Sequence, residues 1–296
     1  MRRIARLLLL LVVLPAAVLF ASEKEITVAV SLQPYATLLK MLGGARVNVV
    51  TLLPPGADPH NYEPKPAVIK AFSLAEAYFT DGSGLDKAWL PRFLGANKNV
   101  KVIDISRNIK WMKAEHDDHH HLHHDDESEL DPHIWTSPMR LQLLALNIYE
   151  SFKALDPDHI AYYTNRFMST QEILRRADRK IVGAIVGLPL NRRSFIVFHP
   201  SYGYLANDYN LTQYSIEVNG KEPKPKDLAK LIQVGRKNDV KTVLCSLSLA
   251  SALQKRLQRS LVPLWSKQTR LRQISSLTYR RLSMLLKRLA KSNVCH

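Results

Sequence analysis

Three histidines sit in short motifs with stiff neighbours. They are His60 in Pro54-Pro-Gly-Ala-Asp-Pro-His-Asn-Tyr-Glu-Pro64, His133 in Asp131-Pro-His-Ile-Trp135 and His199 in Phe198-His-Pro-Ser-Tyr-Gly-Tyr204. Neutral imidazole suits zinc and other late first-row metals, and three protein ligands leave a fourth position open. A tract running up to the middle motif, Glu115-His-Asp-Asp-His-His-His-Leu-His-His-Asp-Asp-Glu127, sets His116, His119, His120, His121, His123 and His124 among six carboxylates. These six imidazoles are candidate auxiliary metal ligands, and a plain solvated charge run is the alternative. A tract that must order itself to bind holds metal less tightly than a preformed pocket. Taken singly, each of the three motif histidines also fits a structural role, as a capping, helix-start or strand-end residue.

The elements around them alternate. Glu25–Ser31 reads as a buried strand, Tyr35–Leu42 as a helix closed by Gly43-Gly44, and Arg46–Leu53 as a second strand ending in the Pro-Pro-Gly turn that carries His60. Lys65–Leu74 is helical, Ala77–Thr80 a strand, Leu85–Leu94 a helix and Val100–Ile105 a strand. This alternation predicts βαβ units and a parallel sheet. The acidic-histidine tract has no apolar periodicity and reads as a mobile loop. Ser137–Val186 is helical throughout, with Asp156-Pro157 the expected break, and is long enough to bridge to a second lobe. Ser194–Phe198 starts that lobe as a strand with His199 at its carboxyl end; Lys226–Gly235 is a helix and Val240–Leu244 begins a further strand. His60 and His199 thus fall just beyond strand ends, where open α/β sheets build ligand sites. Asp58 and Glu63 flank His60 closely enough to orient its ring.

Residues 1–22 stand apart. Arg2, Arg3 and Arg6 precede a nearly unbroken apolar run from Leu7 to Phe20, which is short for a membrane span and reads as a secretory signal to a periplasm. In such an oxidising compartment Cys245 and Cys295 are free to close a disulfide, though their spacing is not diagnostic. The formal charge of +16 is unevenly placed: residues 240–296 hold five Lys, seven Arg and no acidic residue. Without that tail and the leader the chain is near neutral, so no basic face calls for nucleic acid.

In their order and spacing, the three motifs resemble the metal-binding solute-binding proteins of ABC importers, the ZnuA/TroA-like cluster, over roughly residues 25–243. The resemblance implies an α/β fold of two Rossmann-like lobes with parallel sheets, joined by one long rigid helix, with the metal between the lobes. It divides the chain into a leader (1–22), an N-terminal lobe (23–136) that includes the His-rich loop at 115–129, a linking helix (137–187) and a C-terminal lobe (188–296). It makes His60, His133 and His199 the first three ligands. Manganese binders of the cluster tend to carry Glu at the position of His199, so the nitrogen there points to Zn²⁺. The His-rich loop is also similar to that of the zinc branch, and the stretch Glu222–Leu228 resembles the family's stretch after its third ligand motif. The implied partner is a membrane permease, and a monomer is expected.

The fourth ligand of that cluster is commonly an acidic residue in the last third, but no acidic residue follows Asp239. Asp58, Glu217 or water is left to complete the shell. The tail of 57 residues contains 13 Leu, nine Ser and seven Arg, the amino acids with six codons, which predicts a change of reading frame near Val243 or Leu244. The alternative is a basic amphipathic helix with Leu282, Leu285, Leu286 and Leu289 on one face, suited to an anionic membrane surface. The functional expectation is capture of zinc for high-affinity import, without catalysis. A zinc hydrolase built on three histidines, and a manganese-binding or adhesin member of the same fold, are the rival readings. The hydrolase lacks a His-Glu-x-x-His pair and a general base beside the ligands.

Overall fold

A computed structural model of the chain describes residues 25–54, 62–114, 130–197, 199–215, 225–240 and 242–244. The leader, His60 with Asp58, the tract at 115–129, Glu217, and residues 245–296 with both cysteines lie outside these residues.

The first lobe is built from β1 (Ile26–Val30), α1 (Gln33–Gly43), β2 (Val47–Thr51), α2 (Pro66–Phe72), β3 (Ala77–Thr80), α3 (Gly84–Ala96) and β4 (Lys101–Asp104). Its four strands are all parallel, in the order β2-β1-β3-β4. β1 and β3 are the central strands, and their continuous apolar runs are buried on both faces. α1 begins with Pro34 in its first turn and stops at Gly44, whose φ of 55° suits a residue without Cβ. A Cβ at Gly44 would also collide with the Tyr162 hydroxyl, which accepts a hydrogen bond from the Ala45 N–H.

The linking segment is two helices, α4 (Pro138–Leu155) and α5 (Ile160–Ile185), divided at the expected Asp156-Pro157 break. Proline biases its predecessor away from helical angles, and Asp156 sits at φ −140°, ψ 72°. Its carboxylate then takes hydrogen bonds from His159 Nδ1, Tyr163 Oη and Arg46 Nε at 2.7, 2.8 and 3.2 Å, which fixes the turn. α5 is the long element, 26 residues or about 39 Å. Leu38, Leu39 and Leu42 of α1 pack with Leu144, Ile148 and Phe152 of α4 and Tyr163 of α5, so the helical pair is rooted in the first lobe's core.

The second lobe carries β5 (Ser194–Val197), α6 (Gly203–Asp208), β6 (Thr212–Ser215), α7 (Pro225–Lys237) and β7 (Thr242–Leu244). Its sheet, parallel again, has the order β6-β5-β7 among the described residues. Both sheets therefore reverse their winding beside the first strand of their lobe, β1 or β5. That is where α/β sheets open a crevice at the carboxyl ends of the strands.

One feature of the first lobe is electrostatic. Asp81 and Asp86 are both fully buried just beyond β3. Tyr78 Oη donates to Asp86 Oδ1 at 2.7 Å, the Asp81 N–H to Asp86 Oδ2 at 2.9 Å, and the Ser83 N–H to Asp81 Oδ1 at 2.9 Å. Among the described residues, Ser31 Oγ, Tyr35 Oη and Asp81 Oδ2 find no hydrogen-bond partner. Burial, and then the charge of Asp86, push the Asp81 carboxyl up to about 7.

Candidate metal centre

His133 is aimed by its own neighbour two residues back. The Asp131 carboxylate accepts from the His133 backbone N–H at 2.9 Å and from Nδ1 at 2.7 Å, a local loop that Pro132 stiffens. With its proton on Nδ1, the ring keeps a free lone pair on Nε2, the arrangement that prepares a histidine to bind metal. Trp135 meets the ring edge-on at a centroid distance of 5.1 Å and is itself edge-on to Tyr35 at 5.5 Å. Carboxylate on one side and indole on the other thus leave the imidazole one direction to face.

That direction is toward the second lobe. His199 lies just past the carboxyl end of β5, and its Nε2 is 3.3 Å from Nε2 of His133. Two nitrogens bound to one tetrahedral zinc at about 2.0–2.1 Å stand about 3.3–3.4 Å apart. The separation also fits an N–H···N hydrogen bond when His199 carries its proton on Nε2, so a proton and a metal compete for the same place. Residues 133 and 199, 66 positions apart in the chain, are brought together as one tetrahedral edge would require. Among the described residues no group of three or more His, Cys, Asp or Glu side chains gathers to hold a metal. His60, Asp58, Glu217 and the six tract histidines lie outside them. Glu63, which sequence makes a candidate to orient His60, accepts from Arg92 at 2.6 Å.

The seam between the lobes is fastened close to these rings. Arg140 of α4 donates through Nε and Nη2 to the two oxygens of Asp208 at 2.9 and 2.7 Å, and Ser137 Oγ donates to Asp208 Oδ2 at 2.7 Å. Asp208 ends α6, the helix that follows His199. Gly203, also in α6, runs so close to Asp131 that a Cβ there would stand 2.6 Å from Oδ2. None of Arg140, Asp208 or Gly203 stands out by residue type. The orienting Asp131 does leave a sequence signal, its Asp-x-His spacing.

If His133 binds metal, Asp131→Ala weakens zinc binding about 10–100-fold by releasing the ring, the cost of losing a carboxylate behind a metal-bound histidine. Competition against a chelating dye reads this directly. An unchanged Kd would show that the carboxylate does not matter to the site.

Two parallel-sheet lobes, a long helix between them and imidazoles at the seam define a two-lobed class of metal-binding protein. The chain belongs to the family of zinc-uptake complex component A, periplasmic (ZnuA), whose model matches residues 28–279. The match runs past the last of the recognised motifs and into the basic tail. The family is one of ABC-transporter solute-binding proteins, which is not an enzyme class. A crystal structure of ZnuA is 33% identical, with a TM-score of 0.71 over 81% of this chain and 89% of that one. The zinc-binding lipoprotein AdcA of Streptococcus pneumoniae is 26% identical over 80% of this chain but only 48% of its own, so the chain spans about half of that relative. The manganese-binding lipoprotein MntA of Halalkalibacterium halodurans is 24% identical over 70% of this chain and 66% of its own.

Proposed function

We propose that the chain is a periplasmic protein, exported through residues 1–22, that captures Zn²⁺ and passes it to the membrane permease of an ABC importer. It acts as a monomer and takes no part in nucleic-acid binding. In this reading His60, His133 and His199 hold the ion, and Asp58, Glu217 or water completes the shell. The observation that carries it is the 3.3 Å approach of two Nε2 atoms, one of them already freed for metal by Asp131. Zinc is favoured over manganese because imidazole at position 199 is a softer ligand than the oxygen donors that suit manganese. The tract from His116 to His124 collects further zinc with lower affinity.

Imidazole must shed its proton to bind, so zinc affinity falls steeply between pH 7.5 and pH 5.5. Titrations with zinc and with manganese at the two pH values test the reading. Equal zinc affinity at both, or tighter binding of manganese, would sink it. The same titration on a protein lacking residues 116–124 retains one tight zinc and loses the weaker ones.

A further inference from the structure

Tyr204 lies in the second lobe, in α6, but its fully buried hydroxyl works on the backbone beside the first lobe. It donates to the Asp131 carbonyl at 2.9 Å and accepts from the Met112 N–H at 3.0 Å. Met112 and Asp131 already face each other, since the Asp131 N–H donates to the Met112 carbonyl at 2.9 Å. The next pair outward, Lys113 and Leu130, forms an antiparallel bridge. In an antiparallel pair the facing residues exchange two N–H···O bonds. Here one is direct, and the other is relayed through the phenol of a residue from the opposite lobe. The ring is held in turn: the Arg140 guanidinium lies 5.5 Å above it and is pinned by Asp208. Burial pushes the phenol up to about 12, so it remains a donor at any pH the protein meets.

We propose that Tyr204 is a positioning residue for the metal site, a strut from the second lobe that fixes the backbone turn presenting Asp131 to His133. Closure of the seam and the aim of His133 Nε2 are then one mechanical unit. The proposal rests on the reading of His133 and His199 as metal ligands.

Tyr204→Phe keeps the ring and its contact with Arg140 and removes only the hydroxyl, leaving the Met112 N–H and the Asp131 carbonyl without their relay. Measured on the full chain by competition with a chelator, its zinc Kd rises about five- to tenfold, within the range for groups that support a metal ligand from behind. The visible spectrum of the Co²⁺-loaded protein changes as well, because the coordination geometry loosens; a role in folding alone would leave it unmoved. Wild-type zinc affinity with an unchanged Co²⁺ spectrum would overturn the proposal. Should the variant fail to fold, Gly203→Ala carries the same expectation, since it keeps the hydroxyl and drives a Cβ into Asp131 Oδ2. Normal affinity in that folded protein would be equally fatal. His199→Ala separates the two levels: weakened binding there with a silent Tyr204→Phe defeats the strut alone, whereas wild-type affinity in His199→Ala defeats the site reading beneath it.

Discussion

His133→Ala lowers zinc affinity about 10²–10³-fold. A structural-type zinc site is worth about 10–16 kcal/mol, and shared over three or four ligands this gives about 3–4 kcal/mol for each. His133 stands to lose at least that share, because it is the ring whose tautomer is set in advance. Its removal also leaves the Asp131 carboxylate, only 6% exposed, without the ring N–H whose hydrogen bond it accepts. The measurement is zinc Kd by chelator competition at pH 7.5, with the metal-free variant's thermal unfolding as the control for folding. A folded variant that binds zinc as tightly as the parent would remove His133 from the site. Zinc should also raise the unfolding temperature of the parent far more than that of the variant, since a ligand stabilises only the state that binds it.

The second large effect concerns the seam. Asp208→Ala removes four hydrogen bonds at once, from Arg140, Ser137 and Asn207, and leaves the Arg140 guanidinium, 20% exposed, without its carboxylate partner. Breaking a buried pair costs about 3–5 kcal/mol; partial exposure of the arginine places this one at the lower end, about 3 kcal/mol at pH 7. The pH dependence has a definite sign. Burial alone would raise the Asp208 carboxyl, but Arg140, Ser137 and Asn207 outweigh it and hold the group below the ordinary carboxylate range. A depressed folded-state value contributes stability above the unfolded value, near pH 4, and loses it as pH falls through the folded one. Urea unfolding should therefore show the full gap between parent and variant at pH 7 and a smaller one at pH 3. A gap of the same size at both would mean that the pair contributes packing rather than charge.

Much of the scaffold was legible because it rests on local chemistry. Val28 to Val30 form a run that only a doubly covered strand explains, Pro34 and Gly44 bracket α1, and Asp156-Pro157 divides the helical pair. The second lobe was harder. α6 has six residues, too few for a helical period, and β6 reads Thr-Gln-Tyr-Ser without an apolar alternation. Gln213 is buried there because its Oε1 takes the Tyr202 N–H at 2.8 Å, a bond that composition does not announce. At the site, the residue types of His133 and His199 were readable, but their approach was not, because 66 residues separate them. Tyr204 meets Met112 and Asp131 across 92 and 73 residues, and in sequence it is one more tyrosine in an aromatic motif. Local pattern reveals which residues have the chemistry; only the folded chain reveals which residues hold them still.

The buried pair Asp81 and Asp86 gives the first lobe an unusual response to acid. Between about pH 4 and the Asp81 value of about 7, the folded lobe keeps a proton that the unfolded chain gives up. Stability from this group therefore grows as the medium acidifies through that window and falls as it turns neutral. An imidazole site responds in the opposite sense and surrenders its ion over much the same range. On the zinc reading, a drop in external pH empties the carrier and removes the stability the ion lends, and the proton kept by Asp81 offsets part of that loss.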